Sequence, residues 1–215
     1  MTLKLHVFPL SPRAFKVMWA ANHLGIAYEP MLVDFTKGGH RTPDFTGLNP
    51  NMRMPVLEDG DYVLWESNAI LQYLAALKPE AGLLPEDTKA RLQIVKWQFW
   101  DSAHWDAACA IFAFENYVKR LFGRGEPSES EIVRGNEMIA RLGPVLDGQL
   151  QKHRYVAGDA LTLADVSLGA MNYIADHANF PLEEYRGIQR WAADLKSLPS
   201  WQSTVAQAAA MMPAR

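Results

Sequence analysis

The stretch Asn49 to Leu77, NPNMRMPVLEDGDYVLWESNAILQYLAAL, leaves this chain the least freedom. Pro55 precedes a short apolar run, Val56 and Leu57. A proline gives up one ladder donor, so it belongs where a strand begins, at an edge or a bend. The backbone of Met54 is thereby left to pair with something else. Asp59-Gly60 offers the left-handed angles of a tight hairpin turn, and Tyr62 to Trp65 returns as a second strand. Glu66-Ser67 closes that strand. Asn68 to Leu77 then carries Ala69, Ile70, Tyr73, Leu74 and Leu77 at helical spacing. Ser67 sets a hydroxyl beside the first unfilled backbone N–H groups of that helix, a combination suited to a carboxylate.

The segment before it reads as strand, helix, strand. Leu3, Leu5 and Val7 alternate with Lys4 and His6. Ser11-Pro12 is a helix start, because serine is a favoured cap and proline a favoured first helical residue. Val17, Met18, Ala21 and Leu24 form one apolar face, and Gly25 stops the helix. Tyr28 to Val33 is the next strand. Asp34 to Pro50 is rich in Gly, Pro and Asn and reads as loop with one short helix. The order βαβ, loop, ββα fits a small mixed sheet with helices packed on it.

Lys78 to Glu86, KPEAGLLPE, is a linker by its two prolines and glycine. Beyond it strand signals fade. Asp87 to Leu121 reads as a long helix rich in Trp and Phe. Glu131 to Leu150 is another, with Gly143-Pro144 as a kink point. Thr162 and Asp165 have the spacing of a capping box at a further helix start, a role in folding. Pro181 to Arg215 adds helix around Trp191, Leu195 and Trp201. The reading is therefore an α/β domain over residues 1–77, a linker over 78–86 and an all-α domain over 87–215.

Composition narrows the function. The chain has 215 residues, 49% of them hydrophobic, and a net charge of -3. That is too near neutral for a nucleic-acid surface, and no apolar run reaches the ~20 residues of a membrane span. The single cysteine, Cys109, excludes an internal disulfide and a cysteine-rich metal site. It is compatible with a reducing, cytoplasmic setting. The six histidines have no metal-ligand spacing.

The proline, hairpin and Glu-Ser unit, together with KGGHRTPDFTGLNP before it, resembles the glutathione-binding half of cytosolic glutathione transferases. It is most similar to the serine-type, phi-like branch and its bacterial relatives. The resemblance implies a thioredoxin-like N-terminal domain, a cis bond between Met54 and Pro55, and an all-helical co-substrate domain. It implies a transferase that uses glutathione as co-substrate, without metal or prosthetic group, acting on a small hydrophobic electrophile, and a homodimer. The thiol-activating position falls on Ser11. Phe8 stands where tyrosine-type branches carry their tyrosine, and no cysteine lies near Ser11. A free thiol has a pKa of about 8.5, and a hydroxyl donor at the positive end of a helix favours its anion.

The same resemblance assigns glutathione to a set of residues. Glu66 suits the ammonium, Ser67 the γ-glutamyl carboxylate, and His40 and Arg53 the glycyl carboxylate, although Gln or Lys is usual at the place of Arg53. The backbone of Met54 would pair with the cysteinyl part as an added strand. Lys37 and Arg41 flank His40. Leu10, Phe35, Asp101 and His104 are candidates for the co-substrate pocket, the last two because they lie one helical turn apart. Tryptophans crowded between Trp97 and Trp105 suit a subunit interface. Two other readings use the same residues: a glutathione-dependent peroxidase or isomerase, and a non-catalytic binding or interaction module.

Overall fold

The computed structural model describes residues 2–212. Two compact units are present, one of Met1–Leu84 with Leu198–Arg215 and one of Pro85–Ser197.

The first unit is built on four strands, β1 (Leu3–Val7), β2 (Tyr28–Leu32), β3 (Val56–Asp59) and β4 (Tyr62–Trp65), in the order β2-β1-β3-β4. β1 runs parallel to β2 and antiparallel to β3, which pairs antiparallel with β4. Pro30 lies on the edge strand β2, where a missing donor costs little. Both faces of the sheet are covered. Val56 packs with Val33 and Phe45, and Leu48, Met54 and Val63 close that cluster. Its neighbour Leu57 is also fully buried and points to the opposite face.

Helix α1 (Pro12–His23) begins at the Ser11 cap as the sequence predicts. It ends in a Schellman motif: Ile26 N donates to Ala21 O and Gly25 N to Asn22 O, with Gly25 at φ 63°. Between β2 and β3 lie one turn of 3-10 helix (Gly39–Arg41) and the six-residue α2 (Pro43–Leu48). The hairpin turn sits one residue later than expected. Asp59 stays in the ladder opposite Tyr62, so Gly60 and Asp61 are the loop residues. Asp59 is held there because its carboxylate also accepts the Tyr73 hydroxyl. Gly60, at φ 60°, takes the first loop position, where a two-residue hairpin favours glycine. Helix α3 (Ser67–Ala76) follows β4 directly.

In the second unit a single helical run covers 88–121. It comprises α4 (Thr88–Trp100), a π-helical turn (Asp101–Trp105), α5 (Asp106–Phe112), a second π-helical turn (Ala113–Val118) and α6 (Lys119–Leu121). Asp87 caps it, accepting from Ala90 N at 2.8 Å. Helix α7 (Glu129–Leu150) continues through Pro144. Helices α8 (Leu163–Gly169), α9 (Ala175–Ala178) and α10 (Arg186–Lys196) complete the unit.

The capping box at α8 is present and more extensive than the sequence shows. The Asp165 carboxylate accepts from Thr162 N, Thr162 Oγ1, Val156 N and the Trp191 indole N–H, at 2.9, 3.1, 2.8 and 2.9 Å. Burial pushes its carboxyl above the ordinary value, against the pull of those donors.

Two expectations need correcting. The all-α domain was expected to run to the C-terminus, but α11 (Pro199–Ala210) packs on α1 in the first unit. Trp201 lies 4.6 Å from Phe15 and 4.8 Å from Trp19, ring to ring, and Trp19 Nε1 donates to Ser200 Oγ. The tryptophans between 97 and 105 are also not left over for an interface. Trp97 and Trp105 are buried, and Trp100 stacks on Trp105 and meets Trp97 edge-on. The exposed aromatics are instead Phe99, Phe114, Tyr62 and Trp65.

Candidate active site

Ser11 occupies the last non-helical position before α1, at φ -84° and ψ 121°. Its Oγ accepts from Ala14 N at 3.4 Å, and its backbone N donates to Phe8 O at 2.9 Å. Accepting that bond leaves the hydroxyl hydrogen to be donated elsewhere, at the positive end of a 12-residue helix. Leu10, immediately before it, is half-buried.

The loop leading to the predicted proline is shaped by Asn49. This buried residue donates from Nδ2 to Arg53 O at 2.8 Å and accepts at Oδ1 from Asn51 N at 3.0 Å. Met52 takes φ 54° within that turn. The Asn-Pro motif alone does not reveal this task of Asn49; a short amide that bonds its own backbone two residues on is the signal that marks it. The turn delivers Met54, whose bond to Pro55 is cis, as the resemblance implied. Strand β3 begins at Val56, so Met54 stands outside the ladder.

Glu66 is the cap residue of α3 and adopts φ 72°, ψ 112°, a conformation that costs a side-chain-bearing residue of order 1–3 kcal/mol. It is exposed, Ser67 is half-buried, and the first backbone N–H groups of the helix start at Ser67.

His40 is buried in the 3-10 turn, its ring stacked on Phe35 at 4.1 Å and 13°. Phe35 in turn lies 6.0 Å from Phe8. His40 Nδ1 is buried without a hydrogen-bond partner among the described residues. Burial first, then the charges of Arg41 and Arg53, hold its pKa below 6.5. Arg53 and Arg41 are exposed, and the structure brings both close enough to act on His40. Lys37 is taken up by an ion pair with Asp34 at 3.4 Å.

A pH effect follows from His40. Its folded pKa is lowered, so the unfolded chain binds the extra proton first and stability falls as pH drops below about 6.5. We expect the loss of thermal midpoint between about pH 7.5 and pH 5.5 to shrink in His40→Asn. An equal loss in both proteins would show that His40 is not a source of the acid sensitivity.

Asp101 and His104, expected side by side, are separated. They lie on a π-helical turn, where the three-residue spacing no longer puts two side chains on one face. Asp101 is buried in the second unit and accepts from Ser167 Oγ at 2.6 Å. His104 is exposed.

Residues 1–76 match the family "Glutathione S-transferase, N-terminal domain" and residues 100–199 match "Glutathione S-transferase, C-terminal domain". Glutathione S-transferase 3 of Zea mays is 33% identical over 209 residues, which span 95% of this chain and 93% of that protein. The chain belongs to the glutathione S-transferase family. Solved glutathione S-transferases agree in fold. Glutathione S-transferase III in apo form superimposes with a TM-score of 0.87 at 32% identity, covering 100% of both chains. Glutathione S-transferase-I bound with lactoylglutathione gives 0.85 at 26% identity, over 96% of this chain and 99% of that one. The phi-like thioredoxin domain followed by helices is therefore the glutathione S-transferase architecture.

Proposed function

We propose that this glutathione transferase holds glutathione against the first unit and activates its thiol with Ser11. The observation that carries the reading is the Ser11 hydroxyl at the start of α1, accepting from Ala14 and so turned to donate its own hydrogen. Lowering a thiol pKa by ~2 units takes roughly 2.7 kcal/mol. One hydrogen bond to a charged group gives about 1.5–3 kcal/mol. The sulfur lone pair then forms a carbon–sulfur bond to the electrophile. The displaced bonding pair leaves with the leaving group or stays on the acceptor, which takes a proton from solvent.

Glu66 pairs with the ammonium of glutathione, and Ser67 with the α3 N–H groups takes the γ-glutamyl carboxylate. Arg53 and neutral His40 take the glycyl carboxylate, and the Met54 backbone bonds the cysteinyl part. Leu10 and Phe35, half-buried apolar side chains beside Ser11 and His40, supply an apolar wall for a small hydrophobic electrophile. In the second unit His104 is exposed, whereas the buried Asp101 carboxylate accepts from Ser167.

Retention on immobilised glutathione, with conjugation of an activated aryl halide, tests the reading. Retention without turnover on any aryl halide, alkyl halide, enone or peroxide would leave a binding module instead. Among the described residues no helix is long and apolar enough to cross a membrane, and no group of His, Cys, Asp and Glu is placed to hold a metal ion. We place the activity in the cytoplasm, to be checked by fractionating cells that express the chain.

We also propose a homodimer. Its support is the exposed Tyr62 and Trp65 on the hairpin and Phe99, 71% exposed, on α4. Sedimentation equilibrium at micromolar protein should give twice the 24.1 kDa chain mass. An active species at the chain mass itself would show each site complete in one chain.

A further inference from the structure

Lys16 lies in the middle of α1 and is only 4% exposed, among Phe15, Val17 and Met18, all buried. A lysine that deep is rare, and its Nζ needs hydrogen-bond partners to stay there. One partner is Asn68: Nζ donates to Oδ1 at 3.2 Å. Asn68 is the second residue of α3, directly after Ser67 and two residues after Glu66 with its left-handed backbone. A strained backbone of that kind persists only where the surroundings over-determine it. On the other side, Lys16 is separated from Ser11 by five residues of one helix, about 7.5 Å of rigid rise. The Lys16–Asn68 bond therefore ties the helix start that bears Ser11 to the helix start that bears Glu66 and Ser67.

We propose that Lys16 is a positioning residue for glutathione, fixing Glu66 and Ser67 relative to Ser11 through Asn68. The proposal rests on the reading that Glu66 and Ser67 hold the γ-glutamyl end. The tripeptide spans both helix starts, with its thiol at one and its γ-glutamyl group at the other. Spacing between the starts then decides whether both ends engage at once. Lys16 acts on binding and not on the thiol, because its bond goes to the γ-glutamyl side.

The test is calorimetric titration with glutathione, alongside steady-state kinetics and ultraviolet titration of the bound thiol. For Lys16→Met we expect Kd and KM for glutathione to rise about tenfold, the effect of losing one hydrogen bond to a charged donor. The thiol pKa and kcat at saturating glutathione should hold, and Lys16→Arg should restore most of the affinity. Asn68→Ala should reproduce the loss, and the double variant should lose no more than the worse single one. Single losses that simply add would overturn the coupling. So would a Lys16→Met protein with a raised thiol pKa or a lowered kcat. If Lys16→Met does not fold, Asn68→Ala decides alone, and unchanged affinity there refutes the proposal. Wild-type protein that binds no glutathione overturns the site itself and the Lys16 role with it.

Discussion

Replacing Ser11 by alanine should lower kcat by about one to two orders of magnitude and raise the pKa of the bound thiol by about 1–2 units. The contact strengthens as negative charge gathers on sulfur, so its loss is felt in the rate and hardly in ground-state binding. Ser67→Ala makes the complementary prediction. Its carboxylate partner is ionised before and after the thiol loses its proton, so KM for glutathione should rise about tenfold with kcat preserved. Stability is a separate readout, since alanine at a helix cap costs about 1 kcal/mol whatever the chemistry. An Ser11→Ala protein with wild-type rate and thiol pKa would reduce Ser11 to a cap and move activation to a backbone N–H or another hydroxyl.

Asp165→Ala should be the most destabilising single change in the second unit, at about 3–5 kcal/mol in urea unfolding. The carboxylate accepts four hydrogen bonds in the interior. Its removal leaves Val156 N, Thr162 N and the Trp191 indole without an acceptor, and each buried orphan costs about 1–3 kcal/mol before relaxation. Set against a total of about 5–15 kcal/mol for a domain, that is a large share, so most of the protein should be lost to aggregation on expression. Asp165→Asn keeps one acceptor oxygen but turns an amide toward the remaining donors, so its cost should be smaller. Whatever folds of either variant should bind glutathione with an unaltered thiol pKa. A loss under about 1 kcal/mol would mean that water replaces the carboxylate.

Local signals carried most of what the sequence revealed. Strand alternation placed β1, and Ser-Pro and Gly25 bounded α1, because each is settled by a few adjacent residues, whereas the cis bond at Pro55 was implied by the family resemblance. Ser11 and Glu66-Ser67 stood out locally as helix starts, and their roles toward glutathione were implied by the resemblance. What failed depended on distant partners. A glutamate gives no sign that it will sit at φ 72°. A lysine on a helix reads as solvated, although Lys16 between Phe15 and Val17 in an otherwise apolar run was a hint. The Asp101 and His104 pairing assumed an uninterrupted α-helical period that the π turn breaks. An amphipathic C-terminal helix declares an apolar face but not its dock, so the return of α11 to α1 was out of reach.

That return has a consequence for how the chain is made. Phe15 and Trp19 are sealed by Trp201 and Ser200. A nascent chain that has emerged only as far as Leu84 holds all four strands and α1 to α3, but not α11. Residues 85–197 must be translated before it exists, a delay on the order of ten seconds at ribosomal rates of about 5–20 residues per second. Through that interval the aromatic face of α1 stays open to water and to whatever chaperone meets it. The helix that Ser11 caps is thus made before the whole second unit and fully covered only after it.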